Sequence, residues 1–226
     1  MSHKVLAWTF NPEAFHRWLV PRIVRDGKLD VAALASTAAD VASYRAPIAM
    51  EYLEGLRIHP DDPESWEPLF ELDPNVDSRD ELYAIAMAGH LRSAADVSFW
   101  SHDLARVVLK RLGWEGDPSV LWLGHGLATL AGTSGDSALA AAISTARRSL
   151  GGWLSVHQAE KYLEFLLSFG AKPLPPDMRS WFEGTTHAAL APEELGERVE
   201  GALSELTAMA SDAVDRGEAL RLVYWS

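Results

Sequence analysis

The densest concentration of polar and aromatic side chains lies between His90 and His125, and it contains Trp100, His102, Asp103, Trp114 and Trp122. Tryptophans form apolar walls with one N–H donor each, and the glycines on either side of His125 let the backbone approach a ligand closely. A pocket here would use His102 or His125 as a general base, with Asp103 nearby. This pattern predicts an enzymatic or small-molecule-binding pocket around residues 90–126.

A second interpretation of the same segment is structural. Neighbouring residues on a helix point about 100° apart, so His102 and Asp103 do not form a simple catalytic pair. Asp103 instead suits an ion pair with Arg106 on a helix surface. The sequence favours this interpretation, in which the tryptophans belong to the core and the histidines to the surface.

The sequence has eight histidines and sixteen glycines, but their spacing does not form a metal-binding or phosphate-binding motif. Glu13 and His16 share a helical face, but carboxylate-bridged metal sites in helix bundles need two such pairs and further glutamates. His157 and Glu160 have the reverse order, beside a helix-capping position that already explains them. The sequence also lacks the glycine-rich phosphate loops and the nucleophile elbow of hydrolases. We therefore expect neither a metal site nor a cofactor.

The net charge of −12 is concentrated in two segments. Residues 60–81 contain nine acids and one arginine, and residues 190–218 contain eight acids and two arginines. Such a surface repels the phosphate backbone of nucleic acid, so a nucleic-acid partner is not expected. Acidic segments of this kind either keep a protein soluble or steer a basic partner toward it.

The proline-rich part of the first acidic segment also carries a tryptophan, Trp66, and the irregular segment after residue 173 carries Trp181. Tryptophans with a polar surround are typical of binding hot spots, although each also suits a role in fastening its own loop. As a docking surface, Trp66 would be the anchor, and the steering rim would consist of Asp61, Asp62, Glu64 and Glu67. The sequence thus predicts a non-catalytic, immunity-like or accessory protein that binds a protein partner, and its acidic segments suit a basic one.

Three further features predict a cytoplasmic protein of bacterial origin. The chain has no cysteine, so disulfides are excluded. It has no apolar run of eighteen or more residues, so no membrane span is expected, and its first residues lack the apolar core of a signal peptide. Its abundance of alanine, and of arginine over lysine, is typical of GC-rich bacterial genomes.

The C-terminal stretch is the element around which the rest must be organised. A helix is predicted from Pro192 to Gly217, because apolar residues recur at steps of three and four: Leu195, Val199, Ala202, Leu206, Met209 and Ala213. Residues 219–225 then form a β-branched and aromatic strand. Residues 4–10 are apolar on both faces and predict a second, buried strand. We expect these two strands to pair, with the helix packed on them.

The remaining periodic segments are predominantly helical. Capping boxes are predicted at Ser78–Glu81 and Ser155–Gln158, each at the start of a helix. Residues 119–131 fit a helix or a strand, since their glycines weaken either interpretation. The first of the other helices is predicted after Asn11, which caps it, and Pro21 should kink or end this helix. Further helices are predicted at 30–44, from Pro47 to before Pro60, within 99–112, and at 137–150. The predicted fold class is mostly α with a small β-sheet (α+β), as a single multi-helix domain over residues 1–226 with its N- and C-terminal strands paired.

Overall fold

A computed structural model describes most of the chain, covering residues 4–43, 47–55, 79–98, 106–116, 124–143, 151–169 and 178–225. Its strands are β1 (Lys4–Phe10), β2 (Val24–Arg25), β3 (Lys28–Leu29), β4 (Arg92–Ser98), β5 (Gly151–Leu154) and β6 (Ala219–Trp225). Its α-helices are α1 (Pro12–Ile23), α2 (Val31–Ser43), α3 (Pro47–Gly55), α4 (Arg79–Met87), α5 (Leu127–Gly132), α6 (Ser137–Ala142), α7 (Val156–Phe169) and α8 (Pro192–Arg216). Residues 106–111 are also helical. The described residues therefore confirm the predicted α+β class.

The four longer strands form one antiparallel sheet in the order β4–β1–β6–β5. The central pair is β1 with β6, in a continuous register from Lys4 opposite Trp225 to Phe10 opposite Ala219. This confirms that the N- and C-terminal strands pair. β2 and β3 form a separate two-stranded hairpin, whose turn places Asp26 and Gly27 at positive φ.

Helix α8 packs on one face of this sheet, as the spacing of its apolar residues predicts. All six predicted residues of the apolar seam are buried. The C-terminal half of the helix, around Leu206 and Met209, joins a cluster with Val5, Leu220 and Leu222 of the two central strands. The N-terminal half packs instead on residues 106–111 and on the 3₁₀ helix Met178–Phe182, with contacts among Leu195, Val199, Ala202, Val108 and Phe182. Gly217, in the left-handed conformation, ends the helix.

The opposite face of the sheet belongs to the largest core cluster. Leu6, Trp8 and Phe10 of β1 pack there with Trp153 of β5 and with the buried faces of α1, α2 and α4. β1 is thus covered on both sides, which accounts for its largely apolar sequence. Arg221 is also fully buried on β6, where its guanidinium donates to the carbonyl oxygens of Gly152 (2.8 Å) and Leu222 (3.1 Å).

Two local predictions differ in detail from the structure. Pro21 was expected to kink or end α1, but the helix continues to Ile23, because the proline lies in the last turn. The predicted helix 137–150 ends at Ala142, and Ile143 is in an extended conformation. Residues 144–150 lie outside the described part of the chain. The ambiguous segment 119–131 is described from Gly124 onward, as a turn followed by α5.

Candidate functional site

The turn at His125 is held against strand β5 by its backbone. The His125 N–H donates to the carbonyl oxygen of Trp153 (2.8 Å), and the Trp153 N–H donates back to that of His125 (2.9 Å). Gly124 has φ of +84°, and a Cβ at this position would collide with the backbone of Trp153. The glycine therefore does permit a close approach, but it is β5 of the same chain that approaches.

The His125 side chain is half-buried and bonded to helix α7. Its Nε2 lies 2.5 Å from Nε2 of Gln158. The carbonyl oxygen of the Gln158 side chain accepts from the backbone N–H of Ser155 (2.9 Å), and Ser155 Oγ accepts from the Gln158 N–H (3.3 Å), which confirms the predicted capping box. This orients the Gln158 amide group so that its NH₂ donates to His125, and the imidazole accepts at Nε2.

Trp153 completes this network on the other side of the turn. Its indole is 6% exposed, and Nε1 donates to Thr129 Oγ1 (3.0 Å), which in turn donates to the carbonyl oxygen of Gly126 (2.6 Å). The network links the turn to β5, α5 and α7. These hydrogen bonds fasten the four elements to one another.

The other residues of the predicted pocket are only partly described. His102, Asp103, Trp100 and Trp122 lie outside the described residues. Trp114 is half-buried, with its ring edge-on to Tyr162 and Phe165 at centroid distances of 5.8 and 5.0 Å. Trp181 is also half-buried and packs on the cluster around Phe182. Both tryptophans thus contribute to the core.

The predicted docking residues of the first acidic segment, Asp61, Asp62, Glu64, Trp66 and Glu67, lie outside the described residues. The second is largely helix α8. Its solvent-facing side carries the exposed acids Glu193, Glu194, Glu197, Glu200 and Asp215. Arg198 bonds to Glu194 and Arg216 bonds to Asp212, each at 2.8 Å one helical turn away. The two bases of this helix are therefore engaged within it, and the face keeps a net negative charge.

A cleft of about 620 Å³ lies at the start of α1, away from both predicted sites. We call it the His16 cleft. It is bordered by residues from α1, from the turn after α5, from the start of α7 and from the end of α8: Asn11, Pro12, Glu13, His16, Arg17, Val20, Pro21, Thr133, Ser134, Val156 and Gly217. Its volume falls in the range of small-molecule sites, which is roughly 300–1,000 Å³.

His16 forms the floor of this cleft and is only 4% exposed. Its Nε2 lies 2.6 Å from the hydroxyl oxygen of Tyr83, a fully buried residue of α4, and the two rings are stacked. Burial lowers the pKa of His16 to about 4, so the imidazole is neutral at pH 7. The neutral ring and the phenol share one hydrogen bond inside the core.

A second histidine packs against α1. The His90 ring packs against Phe15 and Trp18 at centroid distances of 5.4 and 4.7 Å. Burial, and then the positive charge of Arg22, lower the pKa of His90. Arg22 is itself held over the Trp18 ring, 4.8 Å from its centroid. The environment of α1 therefore disfavours positive charge on both imidazoles.

Sequence reasoning missed this cleft as a site. The Glu13 and His16 spacing was noticed, but only as a fragment of a metal motif. Glu13 instead forms an exposed ion pair with Arg17 at 3.5 Å. The partner that fixes His16 is Tyr83, which lies 67 positions away, and no local pattern connects the two.

Among the described residues, no His, Asp and Glu side chains form a group of three or more suited to a metal ion. In the same part of the chain, no helix has both the length and the apolarity needed to cross a membrane.

No protein-family model, curated protein or solved structure matches this sequence.

Proposed function

We propose that this chain is a non-catalytic protein-binding factor of the immunity-like or accessory kind, which docks a basic protein partner on its acidic surfaces in the bacterial cytoplasm. The observation that carries the proposal is the exposed face of α8. There Glu193, Glu197 and Glu200 follow one another at steps of three and four, so they lie on neighbouring positions of one helical face.

The charge of this face is available to a partner. Within the described residues, none of these three glutamates forms an ion pair, whereas Arg198 is held by Glu194. Exposed charges of one sign raise the rate of encounter with an oppositely charged protein, and they do so less as salt increases. The face therefore suits a steering role.

The first acidic segment supplies the anchor in this proposal. Trp66 would bury its indole in the partner, and Asp61, Asp62, Glu64 and Glu67 would surround it as a rim. Charged rims govern association, whereas buried aromatic anchors govern dissociation. The two roles are thus separable by kinetics.

The alternative function, an enzyme or small-molecule-binding protein with a His/Trp-lined pocket around residues 90–126, has weaker support. His125 is bonded to Gln158, and Trp153 fills the space on the other side of the turn. The absence of the nucleophile and phosphate-loop motifs from the sequence also favours a non-catalytic role.

The test measures binding kinetics with a partner purified from the source cell through this chain as bait. Two variants each remove one acidic surface: D61S/D62S/E64S/E67S, and E193S/E197S/E200S. The control, E160S/E164S/E183S, removes exposed acids from outside both acidic segments. We expect both surface variants to associate about ten-fold more slowly at low salt, with a smaller difference at high salt.

A further variant separates anchor from rim. Trp66→Ala is expected to speed dissociation while leaving the association rate close to that of the wild type. Association rates that are equal for the wild type, both surface variants and the control would contradict the proposal and leave the acidic segments with a solubilising role only.

A further inference from the structure

We propose that the His16 cleft is a binding site for a small uncharged ligand that has an apolar body and one amide-like or hydroxyl group. This site is independent of the acidic surfaces of the proposed function. Three features support it, namely the construction of the cleft, the fixed orientation of its floor, and the balance of charge at its mouth.

The cleft is built by parts of the chain that are distant in sequence. Val20 and Pro21 of α1 face Thr133 and Ser134 of the turn after α5, and Val156 begins α7 beside them. α1 and α5 pack in the core on one face of the sheet, and α7 and α8 pack in the core on the other, so all four elements are held in place. A cleft of this size, in which apolar residues such as Val20 and Val156 alternate with polar ones, is suited to a small molecule that has both kinds of surface.

The floor offers one hydrogen-bonding atom in a fixed position. His16 Nε2 is bonded to Tyr83, so the ring does not rotate freely. Within the described residues, the other ring nitrogen, Nδ1, has no hydrogen-bond partner. We therefore assign this nitrogen to the ligand, as a donor or an acceptor according to the tautomer.

The electrostatics favour an uncharged ligand. The imidazole stays neutral at pH 7, because burial lowers the pKa of His16 to about 4. At the mouth, Arg17 and Glu13 face each other at 3.5 Å, and their opposite charges largely offset one another. An ionic ligand would lose its hydration on entering without gaining an opposite charge at the floor. A ligand with a neutral amide or hydroxyl group loses less hydration free energy than an ionic ligand when it binds beside His16.

The probes are three molecules of nearly the same shape: benzamide (neutral), benzoate (anion) and benzamidine (cation). Binding is followed at pH 7 by NMR, through the ¹⁵N resonances of the histidine rings. We expect saturable binding of benzamide with Kd of about 1–10 mM, which is normal for a ligand of this size. The His16 resonances should move with the same Kd, and benzoate and benzamidine should bind at least about five-fold more weakly.

Two variants test the location. His16→Gln should weaken benzamide binding about 3–10-fold, through loss of one hydrogen bond. Arg17→Trp places a large side chain at an exposed position of the mouth and should abolish binding without disturbing the core. Its matched control is Arg198→Trp, because Arg198 is likewise an exposed helical arginine paired with a glutamate four positions earlier.

The proposal is overturned by any of three results. These are no saturable binding of benzamide, equal binding by wild type and Arg17→Trp, or tighter binding of a charged probe than of benzamide. None of these measurements involves a protein partner, so the outcome is independent of the docking experiment.

Discussion

His16 is hydrogen-bonded to Tyr83 of α4, and His125 is hydrogen-bonded to Gln158 of α7. The surroundings of the two histidines nevertheless differ. His125 lies in a glycine-flanked turn, half-exposed, and its Nε2 is bonded to Gln158 in a network that joins four elements. His16 lies within a regular helix, almost fully buried, and borders a cleft of about 620 Å³. Of the two glycines beside His125, Gly124 lies against the chain's own strand β5, whereas Gly126 has open space around it. A glycine next to a histidine therefore does not by itself indicate a ligand.

The largest expected effect tests the turn at His125. Gly124→Ala combines a positive φ with a collision against the Trp153 backbone. We expect it to lower the free energy of unfolding by about 3 kcal/mol or more, as measured by urea denaturation. Gly201→Ala is the control, since this helical glycine has open space around it, and it should stabilise by about 0.5–1 kcal/mol. If Gly124→Ala left the free energy of unfolding unchanged, the contact with β5 would not constrain the turn.

The next effect tests the burial of His16. Its pKa is about 4 in the folded protein and 6.5 in a solvated chain, so the unfolded state binds more protons between these values. The stability contributed by the neutral ring is complete above pH 6.5 and is lost as the pH falls toward 4. We expect a loss of about 2–3 kcal/mol over this window, measured as the free energy of unfolding against pH.

His16→Gln is the control for this titration, because glutamine does not ionise. The difference between wild type and variant isolates His16 from other groups, including His90, whose lowered pKa acts in the same direction. Parallel pH profiles for the two proteins would mean that the His16 ring is solvated in solution, and the contrast with His125 would then disappear.

The smallest effect concerns the bond between His125 and Gln158. A double-mutant cycle with His125→Ala and Gln158→Ala should give a coupling energy of about 1 kcal/mol, because the pair is partly buried. Gln158→Ala also removes the capping hydrogen bonds to Ser155. Because this loss occurs with and without His125, the double-mutant cycle subtracts it. The exposed pair His157 and Glu160, 3.6 Å apart, is the comparison and should couple by less than about 0.5 kcal/mol. Equal coupling energies in the two pairs would show that the hydrogen bond between His125 and Gln158 stabilises the fold no more than an exposed pair does.

Local patterns were enough to predict the features that depend on local physics. The apolar seam of α8, its end at Gly217, the cap at Asn11 and the Ser155–Gln158 capping box all follow from short-range spacing and hydrogen bonding. The pairing of the terminal strands was also predictable, since two strongly apolar segments have to be buried together.

Features that depend on distant partners were not predictable in this way. The segment Arg92–Ser98 is polar and alanine-rich, and it is a strand because β1 offers it an edge of hydrogen bonds. The contact between His16 and Tyr83 likewise exists only once α1 and α4 have packed. The roles of His102, Asp103 and the acidic loop around Trp66 stay predictions.

The position of β6 in the sheet has a consequence for how this chain folds as it is synthesised. Phe10 and Ala219 are paired although 209 positions separate them, so β6, one of the two inner strands, is made long after its neighbour β1. Until then β1 has an open edge and an uncovered apolar face, both of which invite association with other chains. Closing so long a loop is also entropically costly and slow. The nascent protein therefore depends on its helices, or on a chaperone, to shield β1 until β6 emerges.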